Sequence, residues 1–209
     1  MAVSDSAVSR FIALAQKQDA EGVRALLDRG EFDPNAPFAL PGEGGQGGLG
    51  DTETPLCFAA ASSSVAVVDV LLRAGASVDE VGRWGLSPLA RAVLEQRSDT
   101  VAVLLAAGAS PDQAWDGRAA LLHAVDDWDL DVARALLAAG ADVNVVDARL
   151  RGPLHIVAAS ACGMGSVDKV LELMDLLLRA GADPFQQDAE GRQPYALASW
   201  EQVRSRLQA

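Results

Sequence analysis

Thr54-Pro55-Leu56 and, further on, Leu71-Leu72-Arg73-Ala74-Gly75-Ala76 decide the architecture, because both phrases return along the chain. The Leu-Leu-x-x-Gly-Ala phrase recurs at Leu104-Leu105/Gly108-Ala109, Leu136-Leu137/Gly140-Ala141 and Leu177-Leu178/Gly181-Ala182, with a degenerate copy at Leu26-Leu27/Gly30. From Gly75 onward the glycines fall 33, 32 and 41 residues apart, and 45 separate Gly30 from Gly75. A base period of 33 carrying two insertions accounts for all four intervals. The proline phrase recurs as Ser87-Pro88-Leu89, Gly152-Pro153-Leu154-His155 and Gln193-Pro194-Tyr195, with Ala119-Ala120-Leu121 as the worn copy. Self-similarity at such a period is the mark of stacked repeats, in which length counts units rather than the size of one core.

Each phrase has a local physical meaning. Proline is tolerated in the first helical turn, where its missing N–H costs nothing, and a preceding Thr or Ser caps orphan amides. Helices are therefore expected to start near Pro55 and Pro88. A glycine after Leu-Leu ends a helix cheaply, because it adopts left-handed backbone without a Cβ penalty. Half of the residues are apolar but only 5% aromatic, so the core must be built from Ala, Leu and Val between closely approaching helices.

Two phrases in fixed register resemble the ankyrin repeat, whose pattern reads Gly-x-Thr-Pro-Leu-His-x-Ala-Ala, a short turn, then Val-x-x-Leu-Leu-x-x-Gly-Ala-Asp-x-Asn. The resemblance covers nearly the whole chain. It implies an all-α solenoid of stacked antiparallel helix pairs with hairpin loops, one domain over residues 1–209. The units would be an N-cap (6–35), a Gly-rich insertion (36–53), repeats from 54, 87, 119 and 152, and a C-cap (193–209). A second insertion, about Ala161 to Val170, lengthens the turn between the helices of its repeat. Family resemblance also gives His155 a structural hydrogen bond between loop and helix, and gives the chain a protein partner bound by concave groove and fingertips.

Composition narrows the partner. A net charge of −12 repels phosphate backbones, so nucleic acid is not expected. No signal peptide precedes the repeats and no apolar run is long enough to span a membrane, which together suggest a cytoplasmic monomer. Cys57 and Cys162 lie in different parts of the repeat array and suggest no disulfide framework. Gly42, Gly44 and Gly47 match Gly-x-Gly-x-x-Gly, but neither the strand before it nor the helix after it is expected, so the segment reads as a mobile linker-like loop. His123 has no partner at metal-ligand spacing, and neither cysteine has a histidine nearby in sequence. No metal, cofactor or catalytic residue is expected.

The candidate binding residues are those that depart from the repeat pattern where ankyrin repeats meet partners. On the fingertips these are Arg83, Trp84, Trp115, Asp116, Arg149 and Arg151; on the inner helix face, Glu95, Asp126 and Asp127. Trp and Arg dominate interface hot spots, and an acidic groove favours a basic partner. The competing explanation is that Trp84 and Trp115 fold back and stiffen a neighbouring hairpin, and that the carboxylates form a solvated face. The leading function is a protein-protein interaction module; an inhibitor or immunity-type protein masking a cognate enzyme or toxin is the alternative, and an enzyme a distant one.

Overall fold

The computed structural model describes residues 5–40, 52–62, 65–160 and 167–208. They form two compact units, Met1–Ser110 and Pro111–Ala209. The first contains α1 (Asp5–Gln16), α2 (Ala20–Asp28), the two-residue strands β1 (Phe38–Ala39) and β2 (Thr52–Glu53), α3 (Pro55–Ala61), α4 (Val65–Arg73), α5 (Pro88–Leu94) and α6 (Ser98–Ala106). The second contains β3 (Ala114–Trp115), β4 (Arg118–Ala119), α7 (Ala120–Asp126), α8 (Leu130–Ala138), α9 (Pro153–Ser160), α10 (Val167–Arg179), α11 (Pro194–Leu197) and α12 (Glu201–Gln208). The chain is thus mainly helical, with strands confined to loops.

The helix boundaries follow from the residues named above. Thr54 accepts the Cys57 amide at 3.2 Å and Ser87 the Ala90 amide at 3.1 Å, each ahead of a first-turn proline. Gly75, Gly108, Gly140 and Gly181 close the second helix of each pair at φ between 88° and 92°. Within the first unit α3 lies against α4 and α5, and α4 against α2 and α6; within the second, α9 contacts α7, α10 and α11. The buried faces carry the repeat leucines, among them Leu71, Leu104, Leu136 and Leu177.

Side chains also bind one repeat to the next. Asn35 accepts the Ser77 amide (2.7 Å) and donates to the Gly75 carbonyl (2.9 Å), and Asn144 does the same with Asp183 and Gly181 (2.9 and 3.3 Å). Asp79 and Asp112 accept the amides of Ser110 and Asp142. At the corresponding place after Gly181 stands Phe185, which is exposed.

Both insertions are built in more firmly than expected. The ends of the first pair as an antiparallel stem, Phe38 opposite Glu53 and Ala39 opposite Thr52. Phe38 is buried against Phe11 and Phe58, and Phe11 in turn stacks on Phe32 at 4.6 Å. The expected loop over 36–53 is therefore structural at its ends, because it supplies apolar area to the N-terminal cluster; its glycine run, Gly42 to Gly50, lies outside the described residues. In the second insertion, residues 167–170 extend α10 rather than a turn. Cys162 lies outside the described residues.

Candidate protein-binding site

In the first unit the loop after α4 closes on itself, Gly82 donating its amide to the Leu86 carbonyl at 2.8 Å. Its tip, Trp84-Gly85, has left-handed backbone at both residues, φ 59° and 68°. Trp84 points its indole outward, 63% exposed. The Arg83 guanidinium lies 4.5 Å from the ring centroid and that of Arg91, from α5, 5.3 Å.

Beneath this tip sits Glu53, only 1% exposed. One carboxyl oxygen accepts the amides of Thr54 (3.2 Å) and Arg83 (3.3 Å); the other lies 3.8 Å from the Arg91 guanidinium and makes no hydrogen bond among the described residues. Burial pushes the Glu53 carboxyl above its ordinary pKa, against the pull of Arg91 and the two amides. The carboxyl fits because residue 82 is glycine: a Cβ there would stand 2.0 Å from its Oε1. In the next finger that position is Ala114, and in the last two it is an aspartate.

Those aspartates clamp their own loops. Asp147 accepts the Arg149 and Arg151 amides (2.8 and 3.0 Å) and pairs with the Arg151 guanidinium at 2.7 Å. Asp188 does the same for Glu190 and Arg192. Burial opposes the ionised form of Asp147, but these hydrogen bonds prevail and hold its pKa below the usual carboxylate range. Arg151 is thus committed to its own finger, whereas Arg149 is exposed at the tip.

Helix and following finger are fastened at one equivalent place. His155 Nδ1 accepts the Gly152 amide at 3.2 Å, so its Nε2 carries the proton and donates to the Arg192 carbonyl at 3.0 Å. Cys57 stands where His155 stands, and its thiol donates to the Leu86 carbonyl at 3.4 Å. Burial pushes the Cys57 thiol up to about 12, which removes thiolate chemistry near neutral pH.

Trp115 corrects the expectation of two exposed indoles: it is only 7% exposed. Ala114-Trp115 pairs with Arg118-Ala119 as a hairpin stem, and the Trp115 ring stacks on His123 of α7 at 4.2 Å with 9° between planes. The turn tip of this finger is Asp116-Gly117, at φ 54° and 71°. Counted back from Pro88 and Ala120, Trp84 corresponds to Asp116, and Trp115 to Arg83. A shift of one position in a hairpin turns a side chain to the other face. His123 is pushed toward its neutral form by burial first and by Arg118 second.

The acidic candidates differ in availability. Asp126 is paired with Arg118 at 3.1 Å, while Asp116 and Asp127 are exposed. Glu95 is exposed just past the end of α5, next to exposed Leu94. Sequence reading brought out Arg83 and Trp84 but missed Arg91 and Glu53, which complete their cluster. The one legible signal was Gly82, standing where the last two fingers have Asp147 and Asp188.

The family model described as ankyrin repeats (3 copies) matches residues 11–114 and 56–147, and the chain belongs to the ankyrin-repeat family. It is 37% identical over 130 residues to an ankyrin repeat-containing protein of Treponema pallidum (strain Nichols), a match covering 61% of this chain and 41% of that one. It is 30% identical to the E3 ubiquitin-protein ligase KEG of Arabidopsis thaliana over 84% of this chain and 13% of the ligase. The chain therefore spans less than half the length of these curated relatives. Among solved structures, the ankyrin repeat domain of Bcl-3 superposes with a TM-score of 0.70 at 20% identity, covering 96% of this chain and 98% of that domain. The ankyrin repeat protein EF0377 superposes with a TM-score of 0.75 at 21% identity, covering 96% of both. Ankyrin repeats are in general protein-protein interaction modules. Among the described residues no helix is long and apolar enough to cross a membrane.

Proposed function

We propose that this chain binds a protein partner through its fingertips and the ends of the first helix of each pair, with Trp84 as the anchor of the first unit. The observation that carries the reading is an indole 63% exposed to water on left-handed backbone. A bulky residue with φ above zero is an outlier, and strained backbone concentrates at functional sites. An asparagine or glycine would close the same turn at less cost. Exposed tryptophan flanked by arginine is the composition of interface hot spots.

In the second unit the exposed carboxylates of Asp116 and Asp127 support a basic segment on the partner. Asp126 contributes less, because Arg118 already neutralises it. Trp115 serves the stem of its finger, and Arg151 its own loop. Exposed Arg149 and Glu95 are secondary contacts in this reading.

The test is affinity capture from the native host with the wild-type chain and with Trp84→Ala, followed by binding kinetics on the purified partner. Trp84→Ala should weaken binding by about 2 kcal/mol or more. Unchanged affinity would remove Trp84 from the interface.

A further inference from the structure

We infer that the N-terminus of α6 is a binding site for a phosphate group, held by the Arg97 guanidinium and by the amide and hydroxyl of Thr100. The site lies at the end of α5 away from the Trp84 finger and is separate from it.

Three helix pairs share one turn. Gln18, Gln96 and Trp128 take left-handed backbone at φ 58°, 53° and 58°. The residue after each donates its amide back to the carbonyl of Leu14, Ala92 or Ala124, at 2.9, 2.8 and 2.9 Å. That residue is the N-cap of the second helix. Asp19 and Asp129 cap by accepting the third amide of their helices, that of Gly22 at 2.9 Å and that of Val132 at 3.0 Å. In α6 the cap is Arg97, whose side chain has no acceptor and makes no capping bond. The equivalent amide, that of Thr100, therefore lacks the carboxylate oxygen its counterparts have. A cation stands where the other two turns carry an anion.

A second departure, independent of the first, points to the same ligand. Thr100 takes the register position of Val67 and Val132, both fully buried. It is itself only 1% exposed, and its hydroxyl makes no hydrogen bond among the described residues. A buried hydroxyl without a partner carries a cost that valine, of the same shape, avoids. Arg97 Nε is likewise buried without a hydrogen bond. Arg97, Ser98 and Thr100 line an open pocket of about 190 Å³, walled also by Val65, Gln96 and Asp99. A phosphate there would offer one oxygen to the Thr100 amide, as Asp19 and Asp129 do to theirs, and others to the hydroxyl and the guanidinium fork. Its three terminal oxygens match these three donors, where a carboxylate has only two. The exposed carboxylates of Glu95 and Asp99 oppose an anion at a distance. Water and salt screen that repulsion, whereas the donors act at contact.

The experiment titrates the full chain with inorganic phosphate and, separately, with O-phosphoserine at constant ionic strength, reading amide resonances by NMR and the melting temperature. Both probes should shift the Thr100 amide saturably and raise the melting temperature, while chloride does neither. Arg97→Gln should weaken binding by about tenfold, as loss of a charge-assisted contact does. Thr100→Val should weaken it by about threefold or more and leave the protein at least as stable without ligand. Arg97→Asp, which restores the aspartate of the other turns, should melt higher without ligand and lose the response to phosphate. Trp84→Ala should respond as wild type does. Tighter binding of phosphoserine than of inorganic phosphate would assign the group to a phosphorylated side chain of the partner, and the reverse to a free anion. The absence of a saturable shift at Thr100, or binding that survives all three substitutions at positions 97 and 100, would overturn the site. So would an Arg97→Asp variant that melts below wild type, because the helix end would then not lack an anion.

Discussion

Trp84 occupies backbone at φ 59°, a conformation that costs a residue with a Cβ roughly 1–2 kcal/mol and that asparagine tolerates. Its replacement by asparagine relieves part of that cost and forfeits two cation–π contacts, to half-buried arginines, worth about 0.5–1 kcal/mol each. These nearly cancel, so Trp84→Asn should leave stability within about 0.5 kcal/mol of wild type in denaturant unfolding. A fall well beyond that would make Trp84 a stiffening residue rather than an anchor. Trp115→Ala, which empties a buried stack on His123, should instead cost about 3 kcal/mol or more. Glu53 and Asp147 provide a second contrast, with opposite signs. Glu53 has a raised pKa when folded, so its contribution is full below the ordinary carboxylate range and is lost as pH rises through the raised value. Asp147 has a lowered one, so its contribution is full above the ordinary range and is lost as pH falls through the depressed value. Melting temperature against pH should show Glu53→Gln no less stable than wild type at neutral pH, the two converging in acid. Asp147→Asn should be less stable at neutral pH, with its deficit shrinking in acid. A Glu53→Gln variant that melts well below wild type at pH 7 would mean that the ionised carboxylate holds the finger.

At the scale of elements, the helices begin and end where short-range signals place them. Thr54-Pro55 and Ser87-Pro88 start α3 and α5, and Gly75 to Gly181 close the second helices, because capping and left-handed termination involve residues only a few places apart. The stem formed by Phe38–Ala39 and Thr52–Glu53 was not legible in this way. Its strands are two residues long and are separated by a glycine-rich run, so no periodic pattern announces them. What holds them is tertiary: Phe38 enters a cluster with Phe11 and Phe58, and Glu53 fits the space that Gly82 leaves. Phe38→Ala should therefore cost about 3 kcal/mol in denaturant unfolding, as truncation of a core phenylalanine does. A loss below about 0.5 kcal/mol would return the whole of 36–53 to a loop with no structural part. The additional first turn of α10 escaped sequence reading for a related reason: Val170 is buried as a core residue, but the interruption of the repeat before it hid the helical register.

At the scale of the whole molecule, a net charge of −12 bears on encounter more than on the lifetime of a complex. Asp116→Asn together with Asp127→Asn should slow association with a basic partner and flatten its dependence on ionic strength, while changing dissociation little; stopped-flow rates across a salt series measure this. Faster association would point to an acidic partner segment there. The repeat itself, its helices and its family were already determined by the chain of residues, since proline, capping hydroxyl, leucine pair and glycine act through neighbours in sequence and recur often enough to reinforce one another. Which of the two fingertip indoles is exposed was decided in three dimensions. Trp84 and Trp115 look alike as fingertip aromatics, yet a difference of one position puts the first at the turn and the second on a stem that faces α7. Arg91 and Glu53 join Trp84 from 7 and 31 positions away. Such groupings arise only when packed helices and loops bring distant side chains together, since burial and charge act through space rather than along the chain.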